Sequence, residues 1–190
     1  MEFLLDSNVV SELWKPHPSE NVVSWISSVD WLIPVVVIAE IQEGAEAAPT
    51  TARRTEINRR LDDFLRESAG LMVDWDAETA RIWARLRHST EVKRQPQSLW
   101  DSLIDAMAVR RGLTIASRNH ADFRHSVVFD PWTGKEYPPR RQLDVVRPLL
   151  RLGGARLIFK WPGFGVPALP LLARRGRRGH GGLEAQPFGG

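Results

Sequence analysis

Short apolar runs alternate with amphipathic stretches over the first 137 residues. Glu2 to Leu5 reads as a short buried strand. A helix follows from Asn8 to Trp14 and is stopped by Pro16 and Pro18. Ser19 to Ser28 reads as a second helix, with Val22, Val23, Trp25 and Ile26 on its apolar side. Trp31 to Val37 is β-branched and apolar and predicts a strand, although Pro34 lacks the N–H that a central strand uses. The chain turns helical again near Ala39-Glu40-Ile41. From Thr50 to Ser68, Ile57, Leu61, Phe64 and Leu65 recur at helical spacing. Leu71 to Val73 predicts a third strand. Asp76 caps a helix carrying Ala80, Trp83, Ala84 and Leu86, and Ser98 caps another that runs to Arg111 and stops at Gly112. A strand from Leu113 to Ala116, a loop, one turn of helix from His120 to Phe123 and a strand from Ser126 to Phe129 complete the pattern. Strands that alternate with helices predict an α/β fold, a parallel sheet flanked by helices on both faces.

Composition adds an appendage to this picture. The 190 residues, 43% apolar and 26% charged, suit one domain with an ordinary core. The absence of cysteine excludes disulfides and thiolate zinc sites, and fits a reducing, cytoplasmic setting. No basic segment precedes an apolar run at the N-terminus, so no secretory signal is expected. The uncharged stretch from Trp161 to Ala173 carries three prolines, where a membrane-spanning helix needs about 20 apolar residues. Charge is divided unevenly. Residues 1–137 hold 16 Lys and Arg against 21 Asp and Glu, whereas 138–190 hold 10 against 2 and are rich in Pro, Gly and Arg. The domain is therefore placed at 1–137. Residues 138–190 read as a basic extension without a packed core, disordered or aberrant, such as a read-through end. The competing reading is a nucleic-acid-binding arm using Arg174, Arg175, Arg177 and Arg178.

The candidate chemistry begins where the first strand ends. Leu4-Leu5 runs straight into Asp6, and a carboxylate at the edge of a core is costly unless it is paired, hydrogen-bonded or holding a metal. Ligands of parallel sheets bind beyond the carboxyl ends of the strands, where Asp6 lies. Glu40 follows the second strand at the start of the next helix, Asp101 lies in the first turn of the Ser98–Arg111 helix, and Asp122 lies just past the strand ending at Ala116. Four carboxylates on one sheet edge repel one another unless a cation joins them. Mg²⁺ takes oxygen ligands and keeps several waters, and such an ion supports attack of water on a phosphodiester.

The segments LLDSNVVSEL (4–13), IAEI (38–41), WDSLIDAMAVRRGLTIASRNHADF (100–123) and VFDPW (128–132), in this order and spacing, together resemble the PIN-domain ribonucleases. The likeness is greatest to the VapC toxins of bacterial toxin–antitoxin pairs, in the FitB-like branch, and covers about residues 2–133. It implies a PIN-like fold and endoribonuclease activity. It also implies Mg²⁺ as cofactor (with Mn²⁺ as the alternative), a homodimer, and a cognate antitoxin that alone links the toxin to operator DNA. Carried over residue by residue, the acidic site is Asp6, Glu40, Asp101 and Asp122, with Asp6 and Asp101 as metal ligands. Ser7 stands where Thr is usual in the family and keeps the hydroxyl. Val37 stands where a hydroxyl is frequent, and Trp100 replaces a smaller aliphatic residue.

Ser7, Asp105, Arg118 and Asn119 form a second tier. Asp105, one turn after Asp101, extends the acidic pocket, Arg118 is a candidate phosphate contact, and Asn119 and Ser117 are candidates for the metal water or the phosphate. Each acid has an ordinary reading too: Asp6 as a helix cap, Glu40 as a solvated helix residue, Asp101 as a first-turn acid, Asp122 as a surface charge. Arg53, Arg54, Arg59 and Arg60 read as a solvated face, the histidines carry no metal-ligand spacing, and the tryptophans read as core or interface residues. Two competing functions stand beside the toxin: an RNA-processing nuclease of the same fold outside any toxin pair, and a catalytically silent binding protein. No glycine-rich loop follows the first strand, which disfavours a nucleotide-binding enzyme.

Overall fold

The structure is a computed structural model, and it describes residues 2–88 and 97–140. The basic run from 141 onward, with its candidate nucleic-acid arm, lies outside the described residues.

The sheet is built from β1 (Glu2–Leu5), β2 (Asp30–Pro34), β3 (Met72–Val73), β4 (Thr114–Ala116), β5 (Val128–Asp130) and β6 (Lys135–Tyr137), in the order β3-β2-β1-β4-β5-β6. All neighbours run parallel except β5 and β6. The helices are α1 (Ser7–Leu13), α2 (Glu20–Ile26), α3 (Val35–Glu46), α4 (Thr51–Glu67), α5 (Ala77–Arg87) and α6 (Leu99–Arg111), with a 3-10 turn over His120–Asp122. β1 is the pivot. Successive strands β2 and β3 build out on one side of it, and β4 to β6 on the other. Such a reversal of strand order opens a crevice at the carboxyl ends of the two central strands, here β1 and β4.

Burial explains why β1 is central. Leu4 and Leu5 are fully buried, and Leu4 pairs with Leu32 on one side and Ile115 on the other. The core continues through Val9, Val10, Ile33, Phe64, Ile104 and Met107, all at zero exposure. Each such side chain contributes about 1.5–3 kcal/mol on leaving water.

The expected caps at Asp76 and Ser98 hold, accepting from the Thr79 and Asp101 N–H groups, and Thr50 adds a third by accepting from the Arg53 N–H. Gly112 ends α6 at φ +65°, a left-handed conformation that glycine adopts without a Cβ penalty.

Two elements differ from the sequence reading. The second strand stops at Pro34, and Val35-Val36-Val37 opens α3 instead of extending the strand. Pro34 takes the cap position, where a missing N–H goes unneeded, and packing of Val37 into the core outweighs its β preference. Glu40 therefore sits past the first turn of α3 and not at the helix start. The other difference is β6, a polar edge strand that the sequence reading lacks. Asp130 builds the turn before it: its carbonyl accepts from the Gly134 N–H at 2.8 Å, and its carboxylate accepts from the Trp132 N–H and the Thr133 hydroxyl.

Candidate active site

Asp6 takes the N-cap position of α1, but its side chain makes no capping hydrogen bond among the described residues. The ordinary cap reading fails here. The carboxylate turns across the crevice, where the Ser117 hydroxyl donates to Oδ2 at 2.6 Å and the Ser7 hydroxyl reaches Oδ1 at 3.4 Å. Ser117 follows β4 directly and is fully buried. Its oxygen also accepts from Asn8 Nδ2 at 3.0 Å and from the Asn119 N–H at 2.9 Å, so one hydroxyl locks the end of β1 to the end of β4.

Two elements, α3 and α6, bring further carboxylates to Asp6. Packing of α3 against α6 brings Glu40 and Asp101 close enough for their charges to act on it. Asp6 is 4% exposed. Burial first, and then the repulsion of Glu40 and Asp101, push its carboxyl up to about 7 against the relief from Ser117. Glu40 and Asp101 are half-buried and also raised, again by burial ahead of charge; each feels a neighbouring carboxylate. Asp122, exposed at the end of the 3-10 turn, acts on Asp101. Ser98 holds Asp101 in a reciprocal cap: it accepts the Asp101 N–H at 3.1 Å and donates to Oδ2 at 2.5 Å.

The second tier divides. Ser7 lies between Asp6 and Glu40 and lowers the carboxyl of Glu40. Asn119 is exposed and opens the 3-10 turn. Arg118 stacks its guanidinium over Trp132 at 4.1 Å and approaches Glu12 at 3.5 Å, staying half exposed to solvent.

Asp105 departs from its sequence reading as a pocket carboxylate. It is 1% exposed, and its oxygens accept from the N–H groups of Arg124 and His125, from His125 Nδ1 at 2.9 Å and from the Ser126 hydroxyl at 2.6 Å. Its own negative charge still reaches Asp101, but its lone pairs are committed to holding the 124–126 segment. Gln97 joins this brace to the site by donating to the Asp122 carbonyl at 2.6 Å. Gln97, His125 and Ser126 escaped the sequence reading because nothing in their local pattern marks a partner some twenty residues away.

A groove of about 490 Å³ leads away from Ser7 and Glu40 between α1, α3 and α4, with Trp14, Lys15, Arg53 and Arg60 on its far walls. Much of the arginine cluster on α4 is engaged, as a solvated face would be. Arg59 pairs with Glu56 and Asp63, and Arg60 with Glu56 and the Trp14 carbonyl.

A divalent cation suits the donors at the crevice. Among the described residues Glu40 Oε2 is buried without a hydrogen-bond partner, and Asp6 is held against ionisation by burial and by the charges of Glu40 and Asp101. Among those same residues, no three carboxylate or imidazole groups form a ready-made cage.

Comparison with known proteins bears on this geometry. The PIN-domain profile matches residues 3–126. The chain is 31% identical to VapC ribonuclease Y4jK of Sinorhizobium fredii over 135 residues, which span 68% of this chain and 96% of that protein. It is 30% identical to toxin FitB of Neisseria gonorrhoeae, spanning 68% of this chain and 97% of that one. The solved structure of FitAB bound to an IR36 DNA fragment superposes with a TM-score of 0.59 at 28% identity, over 68% of this chain and 95% of that one. With a mostly parallel sheet, carboxylates gathered at the carboxyl end of its central strand and relatives matched over nearly their full length, this chain belongs to the PIN-domain family.

Proposed function

We propose that this chain is a metal-dependent endoribonuclease and the toxin of a type II toxin–antitoxin pair. One observation carries the reading: carboxylates from α3 and α6 converge on a buried Asp6 at the end of β1 that performs no capping task. The names of its relatives, a VapC ribonuclease and the toxin FitB, support the activity and the setting. Asp6 and Asp101 are the proposed metal ligands, with Glu40 and Asp122 holding the ion's waters. Mg²⁺, or Mn²⁺ in its place, supplies Lewis-acid polarisation of the phosphate and a water of lowered pKa. Ser117 and Ser7 orient Asp6, and Ser98 orients Asp101, so both carboxylates are preorganised before substrate arrives. Asn119 and Arg118 are proposed to meet the RNA at the rim.

The assembly is proposed as a homodimer bound by a cognate antitoxin, with operator DNA reached only through that partner. FitAB, solved on DNA, supports the partner protein and the link to DNA. Among the described residues no helix is long and apolar enough to cross a membrane, and the cytoplasm is the proposed location. We place the nuclease domain at 1–137, consistent with β6 ending at Tyr137, and treat 138–190 as an appended extension.

Purified full-length protein, incubated with structured RNA, is expected to cut in Mg²⁺ and to stop in EDTA. Asp6→Asn and Asp101→Asn, each folded by circular dichroism, should abolish cutting. Cleavage that persists in both variants would falsify the acidic-site assignment.

A further inference from the structure

The tryptophans among the described residues fall into two groups. Trp14, Trp25, Trp31, Trp75, Trp83 and Trp132 pack in or against an apolar cluster. Trp100 packs with neither cluster, and no aromatic ring among the described residues contacts it. Its polar atom is nevertheless fixed: the indole Nε1–H donates to Glu43 Oε2 at 2.8 Å, tying the first turn of α6 to α3. Glu43 lies three residues beyond Glu40 on α3, close enough for its charge to act on the Glu40 carboxylate, and Trp100 immediately precedes Asp101. The ring is therefore anchored by its edge at the rim of the acidic crevice, half-buried, beside an exposed Leu99. Core packing does not account for a large aromatic held there.

We propose that Trp100 is a base-stacking residue that receives an unpaired nucleobase of the RNA beside the scissile phosphate and contributes to the choice of substrate. This inference rests on the ribonuclease reading above. A flat ring with its N–H satisfied presents its π-face at little further entropic cost, and every base offers a matching face. The alternative occupant is a second protein chain. Covering Trp100 with apolar protein also covers Glu43, whose carboxylate the indole holds, and burying that carboxylate without further polar partners is unfavourable. A nucleotide avoids this, because its base stacks while its polar edge and sugar remain beside the carboxylate.

The test uses the full chain carrying Asp6→Asn to prevent cutting. Binding of fluorescein-labelled single-stranded RNA oligonucleotides is followed by anisotropy with Trp100 intact, Trp100→Phe and Trp100→Leu. Leucine is expected to weaken binding by about tenfold to a hundredfold, and phenylalanine by far less, since it keeps a ring while losing the bond to Glu43. Oligonucleotides with a single abasic position, moved along the strand, should then show one position whose loss weakens binding to the Trp100 form and leaves the leucine form unaffected. Equal binding by all three forms overturns the proposal. So does a leucine form that binds RNA normally but falls from dimer to monomer by light scattering, which would make Trp100 an interface residue. The parent reading is judged separately, by cutting with the wild-type chain. Trp100-dependent binding without any wild-type cleavage sinks the nuclease and keeps the stacking site, whereas cleavage indifferent to Trp100 sinks only the stacking.

Discussion

Asp6 and Asp105 are both buried aspartates, 4% and 1% exposed, yet their carboxyls shift in opposite directions. Burial raises both. At Asp105 two backbone N–H groups, an imidazole nitrogen and a hydroxyl oppose it, and the carboxyl ends below the ordinary range. At Asp6 the Ser117 hydroxyl and the Ser7 N–H oppose it, Glu40 and Asp101 add repulsion, and the carboxyl is pushed up to about 7. Burial alone does not mark a functional acid; the supply of donors decides between a brace and a site. A carboxylate with donors to spare holds a loop, and one short of donors is available to a cation.

The largest expected break in this contrast is Asp6→Asn. It should lower kcat/KM for RNA cleavage by at least about a hundredfold, measured by gel assay. The same substitution should change the pH dependence of stability. In the folded chain Asp6 keeps its proton to about pH 7, whereas unfolded it ionises near 3.8. Its contribution is therefore complete below about pH 4 and lost as pH rises through about 7, a span of roughly 4 kcal/mol at most. Urea unfolding of the metal-free protein should show this decline, and Asp6→Asn should flatten it.

Asp105→Asn should do the reverse. It leaves buried donors without a charged acceptor and should lower stability by about 3 kcal/mol. Because the Asp105 carboxyl is held low, its contribution is present above the ordinary range and lost only on acidification through its lower folded value. The wild-type loss at low pH should shrink in the asparagine form. If Asp105→Asn melts like wild type but loses all cleavage, Asp105 is a site acid and the contrast collapses.

Mg²⁺ in hundredfold excess over its dissociation constant should raise stability by about 2.7 kcal/mol at pH 8. The gain should vanish in Asp6→Asn, and binding near pH 6 should release protons, seen by calorimetry in buffers of different ionisation enthalpy. Absence of both effects would remove the cation from the account of Asp6. The smallest effect is expected for Ser117→Ala. It removes a donor that lowers and orients Asp6, so the acid limb of the pH–rate profile should move up, with a loss of maximal rate smaller than that of Asp6→Asn.

Most of the scaffold and the identity of the acids follow from local patterns along the chain. Caps at Asp76 and Ser98, the glycine stop at 112 and the helical spacing on α4 are local features, legible in the nearby chain. The run from Leu4 to Asp6 announced a carboxylate at a strand end for the same reason. Tertiary structure alone decided the rest. Val35 to Val37 chose helix over strand because packing at Val37 and the cap at Pro34 outweigh a modest β preference. The edge strand β6 exists because the Asp130 turn folds a polar segment back on β5, with no apolar alternation to reveal it. Asp101 and Asp105, one helical turn apart on α6, look alike in sequence. Their different surroundings come from residues 124–126, brought over from elsewhere in the chain, and hydrogen-bond supply across such a separation is a property of the folded chain.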